Sequence, residues 1–139
     1  VPFWLALRAH EPGFIKRLIA QTGSRLDAEG IRLYRRLASS PRHVAGAVGM
    51  MAASHDDLHT LVEDLPRLKT PVLLFAAERD GAVPPAQAER VCRYLSNGRV
   101  VVLPGLGHLA HEERPREVAE RVFAATEAAL KGLDSSPLS

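Results

Sequence analysis

An aspartate and a histidine, Asp80 and His108, each stand just past the end of an apolar run of strand length. Between them lies room for one crossover helix and one strand, which would bring both to the same edge of a sheet. Together they can do acid–base chemistry. A hydroxyl nucleophile needs a base to take its proton, and the base needs a carboxylate to fix its tautomer and stabilise the imidazolium. A third member, a serine on a sharp strand-to-helix turn of pattern G-x-S-x-G, occurs nowhere in the 139 residues. Ser24, Ser39, Ser40 and Ser54 all precede the first strand-like run. The chain is therefore expected to be the second half of an enzyme-like fold, inactive on esters alone.

Simpler readings stand beside this one. Asp80 precedes Gly81, and Asp-Gly is a common turn pair; His108 could be a hydrogen-bonded core histidine. Their matching placement favours the pair over either alternative. His111 lies three residues beyond His108, but no third ligand follows at zinc spacing, so neither a metal nor a cofactor is expected. Glu112 and Glu113 precede a helix start, where acids favour the positive end of the dipole. His10, His43, His55 and His59 lack partners at ligand spacing and read as surface or packing residues. Met50 and Met51 read as adaptable apolar filling, a property that would also suit a pocket for a large flat substrate.

The elements that must position the pair come in two regimes that meet near residue 65. Upstream the period is helical. Phe14, Ile15, Leu18 and Ile19 form a stripe that stops at Gly23. A second helix starts at the N-cap Asp27, a third at Pro41 and a fourth at Asp56. Gly46 and Gly49 weaken the third by roughly 1 kcal/mol each. From Pro71 the period changes. Val72-Leu73-Leu74-Phe75-Ala76-Ala77 is an unbroken apolar run, the mark of a parallel strand covered on both faces. Pro84-Pro85 opens a helix, Asn97-Gly98 ends it, and Arg99 to Leu103 make the next strand, one right-handed strand–helix–strand unit. Pro115 starts the last helix and Gly132 is expected to stop it. The expected organisation is α/β: a helical cap or lid over 1–65, the last two strands and helices of a core over 66–131, and a disordered tail over 132–139. Two parallel strands need neighbours, so an N-terminal half of the same fold is expected as a partner. Val1 in place of an initiator methionine agrees with that expectation.

Composition narrows the function classes. With 46% hydrophobic and 24% charged residues, disorder is not expected. Eighteen basic and sixteen acidic residues leave a formal charge of +2, with arginines scattered among acids, so no nucleic-acid surface is expected. A lone Cys92 in an amphipathic setting reads as packing and suits a reducing, cytoplasmic compartment. No apolar run approaches the ~20 residues of a membrane span.

The motifs P-V-L-L-F-A-A-E-R-D-G-A-V-P at 71 to 84 and L-P-G-L-G-H-L-A-H-E-E-R-P at 103 to 115 resemble the C-terminal part of the α/β-hydrolase fold family. In that fold the chain order is nucleophile, acid, histidine. The resemblance implies Asp80 as triad acid, His108 as triad histidine, and Pro84 and Pro115 as helix-opening prolines. Ala77 departs from a glycine common in the family. With T-G-S-R-L-D-A-E-G at 22 to 30 and S-P-R-H-V-A-G-A-V-G-M-M-A at 40 to 52, most of the chain is similar to the magnesium-chelatase accessory subfamily of bacteriochlorophyll biosynthesis. This implies a role near insertion of Mg²⁺ into protoporphyrin IX, magnesium chelatase as partner, and a small-molecule substrate, ester-like or tetrapyrrole. Two readings remain open: a hydrolase, or an accessory protein holding a tetrapyrrole without covalent chemistry.

Overall fold

Proline and glycine set many of the element boundaries. The computed structural model describes residue 8 and residues 11–134, apart from the side chains at 51, 54–60 and 132–134. Helix α1, Phe14–Gln21, buries Ile15 and Ile19 and turns Leu18 outward. It stops where Gly23 takes φ +78°, a left-handed conformation that costs a side-chain-bearing residue steric energy. Helix α2, Ala28–Ala38, is capped by Asp27, whose Oδ1 accepts the Gly30 N–H at 2.8 Å. Phe14, Leu26, Ile31, Tyr34, Ala38 and Leu109 close around Ile15 and Ile19.

Helix α3 runs unbroken over Pro41–Asp64 with Pro41 in its first turn. The two helices expected here are one. No proline or glycine occurs between Met50 and Asp64, so the N-cap preference of Asp56 does not break the hydrogen-bond ladder. A short 3₁₀ turn, Leu65–Arg67, follows.

Strand β1, Val72–Ala77, then pairs in parallel with β2, Gly98–Leu103, in the register Val72↔Gly98 through Ala77↔Leu103. Helix α4, Pro85–Cys92, crosses between them and packs on both, and Cys92 is half-buried. The apolar run of β1 predicts cover on both faces, yet Val72 to Phe75 are half-buried and only Ala76 and Ala77 are fully so. Among the described residues the sheet has these two strands. A single turn, α5 (Ala110–Glu113), precedes α6 (Pro115–Asp134). Helix α6 continues through Gly132, the expected stop: one glycine costs a helix about 1 kcal/mol and does not end it. The tail expected over 132–139 therefore begins inside this helix, and its remainder, 135–139, lies outside the described residues, as does 1–7.

The core gathers at the carboxyl ends of the strands. Ala77, Leu103, Leu106 and Ala110 are buried together, with Phe75 and Val118 packed against them, and Leu106 is fully buried at 0% exposure. Leu106→Ala is expected to destabilise the protein by about 2–5 kcal/mol, the transfer term plus the cavity left behind, read as a drop in the urea midpoint.

Candidate active site

The two strands do not part where their ladder ends. Glu78 N–H donates to Leu103 O at 3.0 Å and Arg79 N–H to Leu106 O at 2.8 Å, so the loops after β1 and β2 stay joined for two more residues. A turn closed by Asp80 N–H to Ala77 O at 3.1 Å then brings Asp80 round. Its Oδ1 accepts the N–H groups of Ala82 and Val83, both at 2.8 Å. Its Oδ2 lies 2.9 Å from His108 Nδ1. The structure thus brings together the two residues singled out by the sequence.

Electrostatics fixes the state of the acid. Asp80's side chain is only 10% exposed, and burial acts to raise its pKa. The Val83 N–H, the His108 imidazole and the Ala82 N–H outweigh burial and hold the carboxyl below the ordinary aspartate range. At neutral pH it is therefore an anion that can only accept, so His108 donates Nδ1–H to it and Nε2 of the neutral ring is the acceptor. The His108 side chain is 39% exposed, and among the described residues no protein group bonds Nε2. Beside the pair a cavity of 240 Å³ is walled by Phe75, Leu103, Val118 and Val122. A larger groove of 810 Å³ runs along α2 past Arg32, Arg35 and Arg36 and does not reach the pair.

A third segment staples the two loops. The Thr22 carbonyl accepts both Gly81 N–H, at 3.1 Å, and His108 N–H, at 3.2 Å. Ser24 Oγ accepts Leu109 N–H at 2.9 Å, and Thr22 Oγ1 lies 3.1 Å from the same oxygen. Ser24 is buried, so it serves as a strut and is not presented as a nucleophile. Contact between the backbones leaves no room for side chains. A Cβ on Gly23 would stand 1.7 Å from Arg79 O, and one on Gly107 would stand 2.3 Å from the Gly23 carbonyl.

Behind the histidine, Glu113 points inward. Its Oε1 accepts Gly107 N–H at 2.8 Å and its Oε2 lies 3.4 Å from the Arg79 guanidinium. Arg79 Nε–H donates to Gly105 O at 3.0 Å, and Glu78 Oε2 accepts Gly105 N–H at 2.7 Å. Glu112 accepts the Tyr34 hydroxyl, whose pKa burial and that bond push up to about 12. Both acids therefore bond specific partners in addition to any helix-dipole effect. Sequence reasoning missed the roles of Thr22, Ser24, Arg79 and Glu113. The available signal was the glycines beside them, Gly23 and Gly107, which mark close backbone approach.

Of the other candidates, His111 lines the same cavity as the pair. His111 lies 3.6 Å from Glu112, and among the described residues no three potential ligands cluster for a metal. His43 and Met50 are exposed on α3. His10 and the side chains of Met51, Ser54, His55 and His59 lie outside the described residues. Among the described residues no helix is long and apolar enough to cross a membrane.

A sequence model of the alpha/beta hydrolase family matches residues 2–121. The magnesium-chelatase 30 kDa subunit of Rhodobacter capsulatus is 39% identical over 98 residues, 70% of this chain and 34% of that protein. The chain thus matches about a third of the length of that curated relative.

Two outcomes follow from the geometry. A carboxyl with a depressed folded-state pKa adds stability above its unfolded pKa, and that contribution is lost as pH falls through the folded value. Wild type should therefore lose urea resistance on acidification to about pH 2 more steeply than Asp80→Asn. Gly23→Ala should destabilise the fold by well over the ~1–2 kcal/mol cost of a left-handed alanine, because Arg79 O must also move, and this is read as a drop in the thermal midpoint; a midpoint within error of wild type would refute the staple.

Proposed function

The chain belongs to the alpha/beta hydrolase family, and from that membership we propose that it supplies the acid and histidine of a Ser-His-Asp hydrolytic triad. The observation that carries the reading is the 2.9 Å contact between His108 Nδ1 and an Asp80 whose other oxygen is held by two backbone N–H groups. His108 Nε2 takes the proton of a hydroxyl nucleophile as that oxygen attacks an ester carbonyl, and the imidazolium is stabilised by the Asp80 carboxylate. The same nitrogen returns the proton to the departing alkoxide. In the second half it takes a proton from the water that attacks the acyl carbonyl and then returns that proton to the departing serine oxygen, which releases the acid and restores both nucleophile and base. The 139 residues contain no G-x-S-x-G turn, so the serine in this scheme comes from outside them. On that scheme these residues alone do not turn over esters.

Likeness to a magnesium-chelatase subunit supports a narrower role, that of an accessory protein to magnesium chelatase in bacteriochlorophyll biosynthesis, acting on an ester-like or tetrapyrrole small molecule. The same likeness favours one second reading, a non-catalytic accessory that holds a tetrapyrrole. A hydrolase outside that pathway uses the same pair.

The test is turnover of short acyl esters by the protein expressed from its complete gene. His108→Ala is expected to reduce kcat by on the order of a thousandfold or more. Equal turnover in the two proteins, or none in either, would sink the hydrolase reading, and saturable tetrapyrrole binding would then establish the carrier.

A further inference from the structure

We infer that Glu113 is a positioning residue that sets the distance between Asp80 and His108. This rests on reading those two as a catalytic pair. Its carboxylate is the most deeply placed acid in an ion pair among the described residues, with a side chain 5% exposed. A buried carboxylate is costly unless its oxygens are satisfied, and each oxygen here has a partner on a different loop. Oε1 holds the N–H of Gly107, the residue before His108; Oε2 faces Arg79, the residue before Asp80. Arg79 in turn holds Gly105 O, so the acid loop, the histidine loop and the turn before α6 share one carboxylate.

The other arginine–carboxylate pairs differ in kind. Arg8–Glu11, Arg67–Asp64 and Arg114–Glu117 join residues three apart on one segment, with more exposed carboxylates, and Arg121–Glu117 joins neighbours on α6. Such pairs contribute little and fix nothing beyond their own helix. Glu113–Arg79 spans 34 residues and ties the two motif loops. Without Oε1 the Gly107 N–H loses its partner in a region too tight for a side chain. The Leu106–Gly107 peptide, one before the His108 N–H that Thr22 holds, is then free to turn. The predicted result is a longer Nδ1–Oδ2 contact, since Asp80 is fixed independently by Ala82 and Val83.

The experiment is proton NMR of histidine-labelled protein, following the downfield Nδ1–H resonance of His108, for wild type, Glu113→Gln, Glu113→Ala, Arg79→Gln and Glu117→Gln. Circular dichroism checks that each is folded. Glu113→Gln should shift the resonance upfield and broaden it, Glu113→Ala should abolish it, Arg79→Gln should fall between wild type and Glu113→Ala, and Glu117→Gln should leave it in place. In the protein expressed from its complete gene, Glu113→Gln should lower kcat by on the order of tenfold to a hundredfold with KM held, the signature of misplacement and not of lost binding. An unchanged resonance in folded Glu113→Gln overturns the inference, as does equal loss in Glu117→Gln. If Glu113→Ala fails to fold, Glu113→Gln and Arg79→Gln decide. Absence of the resonance in wild type overturns the catalytic pair and this inference with it, whereas its presence with insensitivity to Glu113 overturns only the inference.

Discussion

The Thr22 carbonyl oxygen accepts backbone N–H groups from both loops that carry the Asp80–His108 pair. A side-chain tether leaves rotamer freedom in what it holds; a carbonyl fixed by the end of α1 does not. The geometry costs three segments their side-chain space, which is why glycines stand at 23, 81 and 107. A helix end, a left-handed glycine and two strand-end loops thereby become one unit. The N-terminal helices and the strand-helix region also meet at Tyr34 and Glu112, but that bond lies at the periphery and orients no catalytic group.

Charge is handled the same way on both sides of the histidine. Asp80 and Glu113 are poorly exposed carboxylates, and each is satisfied by backbone N–H groups on one oxygen and by a cationic or ionisable side chain on the other. Rigid amides need no reorganisation, so they hold an anion in place at little entropic cost. For Asp80 this leaves Oδ2 free to choose the tautomer of His108. For Glu113 it leaves Oε2 to face Arg79, whose own Nε–H is used on Gly105.

What was legible in the sequence was local. The stop at Gly23, the cap at Asp27, the starts at Pro41, Pro85 and Pro115, and both strands depend on residues within a few positions of one another. The acid and histidine could be read because each sits at a fixed offset from a strand end. Helix α3 was misread because Asp56 has the chemistry of a cap and nothing nearby to break the ladder. Ser24 was out of reach because its partner, Leu109 N–H, lies 85 residues away. Glu113 was obscured by its position before a proline, where an acid has a sufficient local explanation. The apolar run of β1 carries information about neighbours more than about itself: it reads as a strand covered on both faces, while the described residues leave most of it half-buried.

Fold membership does not decide between hydrolysis and carriage, but the wiring of the pair bears on the choice. A carrier needs shape and apolar surface from this edge of the sheet. It has no use for an aspartate held ionised at low exposure, because that arrangement disfavours a neutral cleft and contributes nothing to holding a flat apolar ring. A base needs just this: an anion that accepts Nδ1–H and so orients the ring, a backbone N–H tied to Thr22, and an Nε2 without a protein partner among the described residues. If carriage is the role, replacing both residues with a neutral hydrogen-bonded couple costs only the stability that the ionised Asp80 supplies to the fold. If hydrolysis is the role, the same replacement costs turnover as well, because the anion that orients the base is gone.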